Sequence, residues 1–218
     1  MTVDDFSAAR EHMLSAQLRA RGIRDERVMA AMARVPRHEF VAEELRSQTY
    51  EDHPIPIGQG QTLSQPYIVA VMLQALALGG SERVLDIGTG SGYQTALLAE
   101  LAGEVFSIER LASLAHCAQQ ILHRLGYQNI TVVTGDGSQG LRERAPFDAI
   151  IVAAAAPQVP PALFAQLREG GRMVAPVGPA YAQKLQMIQK QNGHAFVTNL
   201  EKCRFVPLIS DAESRREK

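Results

Sequence analysis

VLDIGTGSGYQTALLA, residues 84–99, decides the fold. A short apolar run, Arg83 to Ile87, stops at three closely spaced glycines, and from Tyr93 to Leu101 the apolar residues follow helical spacing. The pattern is strand, tight turn, helix. Gly88, Gly90 and Gly92 let the backbone of that turn approach a ligand, which would sit beyond the carboxyl end of the strand where the helix N-terminus points. The spacing narrows the choice of ligand. A dinucleotide loop, G-x-G-x-x-G counted from Gly88, would need its third glycine at position 93, and that residue is Tyr93.

Downstream the chain alternates. Strands are expected at 104–108, 129–134, 147–153 and 171–177, with helices over Leu111–Leu125 and Pro161–Leu167 between them. Alternation of this kind gives a mostly parallel sheet covered on both faces, the three-layer doubly wound α/β arrangement. The C-terminal part breaks the rhythm: KLQMIQK (184–190) and AFVTNL (195–200) flank Asn192-Gly193, a strong hairpin signal. Upstream, the first fifty residues predict a helical lead-in. Asp4 or Asp5 caps a first helix stopped by Gly22, Asp25 caps a second ended by Pro36, and PRHEFVAEEL (36–45) starts a third. Pro66 opens a buried helix closed by Gly79 and Gly80.

This partition predicts one domain over 1–210: lead-in and loop (1–80), alternating core (81–178) and hairpin segment (179–210), followed by a frayed polar tail at 211–218. With 46% apolar and 21% charged residues the chain has ordinary globular composition. Its net charge of -1 and scattered basic residues argue against nucleic acid as a partner, and no apolar window is long enough for a membrane span. Two distant cysteines, Cys117 and Cys203, and six histidines without shared spacing indicate neither a disulfide framework nor a metal site. A reduced cytoplasmic setting and a monomer are the expectations.

The G-x-G-x-G loop resembles the first motif of S-adenosylmethionine-dependent methyltransferases. Asp86, Gly88, Thr89, Gly90 and Gly92 then form the cofactor turn, with Asp86 orienting it or receiving the cofactor's amino group through water. Glu109, ending the second strand of the core, is placed to accept both ribose hydroxyls. Asp136 and Gly137, in the GDG after the third, fall where the adenine edge would lie.

The acceptor is read from other residues. The fourth strand runs into AAAAPQVPP (153–161), which lacks the Asn/Asp-Pro-Pro-aromatic motif of amino-methylating base enzymes and the Pro-Cys of cytosine enzymes. A carboxylate acceptor, with an ordinary pKa of about 4, is already ionised and needs no general base. It would be met by neutral donors, and GQGQTLSQPYIVA (58–70) offers Gln61, Thr62, Ser64 and Gln65. Ser64 could also cap the helix that begins near Pro66.

GQGQTLSQP, VPRHEFV (35–41), the glycine loop, GDG (135–137), FDAIIVAAAAPQVP (147–160), LREGGRMVAPVG (167–178) and RFVPL (204–208) together resemble the protein-L-isoaspartate O-methyltransferases, from about Arg10 to Leu208. The resemblance implies a repair enzyme. It would use S-adenosylmethionine, releasing S-adenosylhomocysteine, to methylate the α-carboxyl of L-isoaspartyl, or in some members D-aspartyl, residues of damaged proteins. The ester then closes to a succinimide that can reopen as aspartate. By match Ser64 is the active-site serine, acting by positioning because no nucleophile elbow surrounds it, and Val206 and Pro207 lie where backbone would pair with the substrate peptide. Ile209 is assigned no polar role. The alternatives are a same-fold enzyme acting on a small molecule or RNA, and a noncatalytic cofactor-binding module.

Overall fold

A computed structural model describes residues 3–210, so the expected polar tail lies outside the described residues. In chain order it contains α1 (Val3–His12), α2 (Glu26–Arg34), β1 (Ile55–Gly58), β2 (Gln61–Leu63), α3 (Pro66–Leu76), β3 (Arg83–Ile87), α4 (Tyr93–Leu101), β4 (Glu104–Glu109) and α5 (Ala112–Arg124). There follow β5 (Ile130–Thr134), β6 (Phe147–Val152), α6 (Pro161–Gln166), β7 (Leu167–Val177), β8 (Gln183–Gln191) and β9 (His194–Cys203). Seven strands make one sheet in the order β5-β4-β3-β6-β7-β8-β9. Its first five strands are parallel and its last two antiparallel.

Two-residue periodicity sends alternate side chains of β3 to opposite faces. Val84 joins a layer with α2, α3 and α4, whereas Leu85 and Ile87 join the other with Leu163 of α6. The chain runs outward from β3 to β5 and then crosses back to place β6 on the other side of β3. That reversal opens a crevice at the carboxyl ends of β3 and β6, the usual ligand position in such sheets.

The lead-in departs from expectation in three places. The first helix begins at Val3, so Asp4 and Asp5 fall in its first turn rather than at its cap, and it runs on through a π-turn at Met13–Leu18 and a 3-10 turn before Gly22, at φ 95°, stops it. Asp25 caps α2 as expected, accepting from the N–H groups of Arg27 and Val28. No α-helix covers 36–45. Two 3-10 segments, Arg37–Phe40 and Glu43–Gln48, stand there, because Arg37 and Phe40 are drawn into the core and Val41 is extended between the segments.

Helix α3 starts at Pro66 and, with Val69, Ala70, Met72, Leu73 and Leu76 all buried, owes its stability to packing more than to its own eleven residues. It ends earlier than expected, at Leu76, with Ala77 left-handed. Gly79 and Gly80 instead donate their N–H groups to the Glu82 carboxylate, shaping the entry to β3. In the C-terminal hairpin Asn192 and Gly193 both have positive φ, which matches the twist of β8 and β9.

Candidate functional site

The glycine loop is held from below by a carboxylate that does not reach the ligand space. Asp86 shares the face of β3 that packs on α4 and is wholly buried. It accepts hydrogen bonds from Gln94 Nε2 (2.9 Å), Thr95 Oγ1 (2.6 Å) and Ser107 Oγ (2.8 Å), tying β3, α4 and β4 together. Thr89 Oγ1 adds a 2.6 Å contact to Ser107 Oγ. Burial pushes the Asp86 carboxyl up to about 6 against the pull of these donors. Asp86 is therefore placed to set the shape of the turn.

Gly88, Gly90 and Gly92 all have positive φ. Gly92 heads α4 at φ 92°, and a Cβ there would lie 3.2 Å from Ala118 Cβ, so this glycine serves packing against α5 and does not line the cavity. Gly88, Thr89 and Gly90 do line it. Across from them Glu109, only 7% exposed, accepts from Gly90 N (2.8 Å) through one carboxylate oxygen and from Leu111 N (2.9 Å) through the other. These bonds fix the carboxylate and leave acceptor capacity toward the cavity. Gly137 closes a third side, where a Cβ would strike Ile87 Cγ2 at 2.5 Å. Asp136 stands outside the lining and accepts from Ser138 N, capping a short 3-10 turn. The cavity measures about 250 Å³, and Ile108, Leu111 and Ala153 add apolar walls. A fixed carboxylate beside apolar walls and a glycine turn fits a nucleoside carrying a vicinal diol.

A hairpin roofs this cavity where only an irregular loop was expected. β1 and β2 pair antiparallel, with Gln59 (φ 53°) and Gly60 (φ 70°) at the tip. Ile57 comes down on the glycine turn, its Cδ1 3.3 Å from where a Cβ on Gly90 would be. Ser64 follows the hairpin and is half-buried between two cavities, the second about 380 Å³ and lined also by Thr62, Gln65 and Val206.

Residues remote in sequence hold Ser64 in place. The fully buried Arg37 donates to Ser64 O (2.8 Å) and Thr49 O (2.6 Å) and lies 4.7 Å from the Tyr93 ring centroid. Burial lowers the pKa of this guanidinium. Asp52 accepts from the Tyr67 N–H in the first turn of α3 (3.3 Å), so it does the capping that Ser64 was expected to share. Ser64 Oγ consequently has no partner among the described residues. Asp52 also accepts from Gln65 Nε2 (2.8 Å), which engages one of that amide's two hydrogens.

The RFVPL segment closes the site. Ala155 N donates to Val206 O (2.8 Å) and Leu208 N to Ala155 O (2.7 Å), hanging the segment beside the end of β6. One edge of it is thus occupied, and the Pro207 carbonyl faces the other. Of the residues expected at the site, Gly88, Thr89, Gly90, Glu109, Gly137, Gln61, Thr62, Ser64, Val206 and Pro207 line the first cavity and Gln65 the second. Asp86, Gly92 and Asp136 support it from outside. Sequence reasoning passed over Arg37 and Asp52. The Arg in VPRHEFV was visible, but nothing local shows that it would be buried.

Sheet order, glycine turn and strand-end carboxylate together define an S-adenosylmethionine-dependent methyltransferase of Rossmann-like fold. Comparison then gives the family. The model for protein-L-isoaspartate(D-aspartate) O-methyltransferase matches residues 8–213, and the chain belongs to that family. A protein-L-isoaspartate O-methyltransferase of Koribacter versatilis is 57% identical over 94% of this chain and 93% of its own. Among solved structures, a protein-L-isoaspartate O-methyltransferase superposes with TM-score 0.85 at 29% identity, over 95% of this chain and 69% of that one. A Plasmodium falciparum structure, described as a putative member in complex with S-adenosyl-L-homocysteine, gives TM-score 0.80 at 28% identity over 92% and 98% of the two chains.

Proposed function

We propose that the chain methylates the α-carboxyl of L-isoaspartyl residues in damaged proteins and peptides, with Ser64 receiving the acceptor and the glycine-turn cavity holding the donor. The observation that carries this reading is the free hydroxyl of Ser64 at the junction of the two cavities, its backbone pinned by Arg37.

S-adenosylmethionine, when bound, supplies a methyl group made electrophilic by its sulfonium. Glu109 would hold the ribose hydroxyls, with Gly88, Thr89, Gly90 and Gly137 around the rest of the nucleoside and amino-acid portions. Ser64 would donate its O–H to one carboxylate oxygen of the acceptor, leaving the other to attack in line. Thr62 and Gln61 flank it with neutral donors. No base is required, because the carboxylate is ionised at neutral pH. The hairpin roof excludes water as opposite charges neutralise each other, and positioning supplies the rest. The Pro207 carbonyl, open on its outer edge, would take a backbone N–H of the substrate chain.

D-aspartyl residues come within the same reading, since the family description includes D-aspartate. A monomer in the cytosol, with no nucleic-acid partner, accords with the near-neutral, scattered charge. No helix among the described residues is long and apolar enough to cross a membrane. The test is methyl transfer from labelled S-adenosylmethionine to peptide pairs that differ only in aspartyl or isoaspartyl linkage. Labelling confined to the isoaspartyl member is expected, and equal labelling of both sinks the reading. Ser64→Ala should lower turnover roughly 10- to 100-fold, the worth of one hydrogen bond to a charged group. Its affinity for S-adenosylhomocysteine should stay within a few-fold.

A further inference from the structure

Arg37 is a buried cation without a counter-ion. Its side chain is wholly excluded from solvent, and its Nε and Nη2 groups donate to two neutral acceptors, Thr49 O and Ser64 O. Its Nη1 has no hydrogen-bond partner among the described residues, and neither has the buried Tyr93 hydroxyl. Among those residues it makes no ion pair. The acid whose field reaches it, Asp52, is paired with Arg21 and also occupied by Gln65 and the Tyr67 N–H.

Taking a charge out of water is costly, and a guanidinium cannot escape the cost by losing its proton. Holding two carbonyls does not require that charge, since a neutral amide also carries two N–H donors. The charge points elsewhere. One hydrogen bond and four covalent bonds separate the guanidinium from Ser64 Oγ, which places it within about 8 Å of the hydroxyl at the junction of the two cavities. Through protein interior, attraction over that range is little weakened by salt. Glu109 is the only carboxylate among the described residues that line either cavity, and two N–H groups at the glycine turn hold it. Arg204, at the rim of the second cavity, is exposed and therefore screened.

We propose that the substrate itself is the counter-ion of Arg37: the buried charge makes the acceptor site select a carboxylate over a neutral group of the same shape. The inference rests on the acceptor assignment above and gives Arg37 a role beyond pinning the Ser64 backbone. It also gives the product a reason to leave. Methyl transfer turns the anion into a neutral ester, so the attraction that gathers the substrate disappears as the product forms.

The test uses the full chain saturated with S-adenosylhomocysteine, where nothing turns over, and peptide binding measured by calorimetry. Three peptides are compared: the isoaspartyl peptide, its α-carboxamide twin as a stable neutral mimic of the ester, and its aspartyl twin. The carboxylate should bind at least about 30-fold more tightly than the carboxamide, the attraction of unit charges at this separation in a protein site. That ratio should persist in about 0.5 M salt. Arg37→Met should cut it about tenfold or more, whereas Arg37→Lys, which keeps the charge, should retain most of it. Asp52→Asn, which removes the opposing charge and leaves an amide to cap α3, should widen it. Equal weakening of both peptides in Arg37→Met, as loss of the loop alone would give, overturns the proposal. So does a ratio that collapses in salt, that Arg37→Lys loses as fully as Arg37→Met, or that Asp52→Asn narrows. Failure to distinguish the isoaspartyl peptide from its aspartyl twin overturns the acceptor assignment instead.

Discussion

The two halves of the site are built by opposite means. The cofactor half is assembled from neighbours: Asp86, Thr89, Gln94, Thr95, Ser107 and Glu109 lie within 24 residues of one another and lock one strand-turn-helix-strand unit. The acceptor half is assembled from afar. Ser64 is held by Arg37, and the helix behind it is capped by Asp52, which is itself tied to Arg21. A common donor can be served by a module whose hydrogen bonds are local. A particular acceptor is served by contacts that only the complete fold brings together.

Three substitutions should break this comparison at different points. The largest effect is expected at Glu109. Glu109→Ala removes the proposed ribose acceptor and orphans the Gly90 and Leu111 N–H groups, so affinity for S-adenosylhomocysteine should fall more than about 100-fold by calorimetry. Normal affinity would show that the cofactor half is not organised around this carboxylate.

Asp86 comes next. Its folded-state value near 6 lies above the ordinary value of 3.8, so the native protein holds this proton more tightly than the unfolded chain does. Its contribution is complete below the unfolded value and is lost as pH rises through about 6, by at most roughly 3 kcal/mol. Asp86→Asn, which cannot titrate, should flatten the pH dependence of urea unfolding between about pH 4 and 7. An unchanged slope would mean that another group controls that window.

Arg37 should give the smallest change in stability but the most selective one in function. Arg37→Met leaves the Ser64 and Thr49 carbonyls without their donor and should cost about 2 kcal/mol in unfolding free energy. Turnover should drop about tenfold while cofactor affinity holds, with Arg37→Lys recovering part of the turnover. Equal losses in both halves would show that they are not separable.

This division also explains what the sequence disclosed. The strand-glycine-helix unit, the alternating core and the Asn192-Gly193 hairpin follow from short-range pattern and turn chemistry, and all stand in the structure. The β1–β2 hairpin was missed because Gln59 takes a left-handed conformation that favours glycine, so GQGQ reads as an open loop. The helix expected at 36–45 gave way because burying Arg37 against two carbonyls outweighed helical propensity. Gln65, expected as a donor to substrate, lines the second cavity and gives one of its two amide hydrogens to Asp52, thirteen residues upstream. The hairpin and the 36–45 segment belong to the acceptor half or its supports, and on the cofactor side Asp86, Gly92 and Asp136 stand behind the cavity lining rather than in it.

Tyr93 belongs to both halves. It occupies the position where a dinucleotide loop would keep a glycine, and its ring instead lies edge-on to Phe40 at 5.6 Å and under the Arg37 guanidinium. The residue that heads the helix of the glycine turn is therefore also the pin on which the lead-in turns. Neither part can be traded away alone: a core grafted without residues 36–41 would expose a large ring at the mouth of its own ligand cavity, and a glycine restored at 93 would unseat the arginine that fixes Ser64. In this chain the glycine turn and the support of Ser64 are joined through one packed side chain.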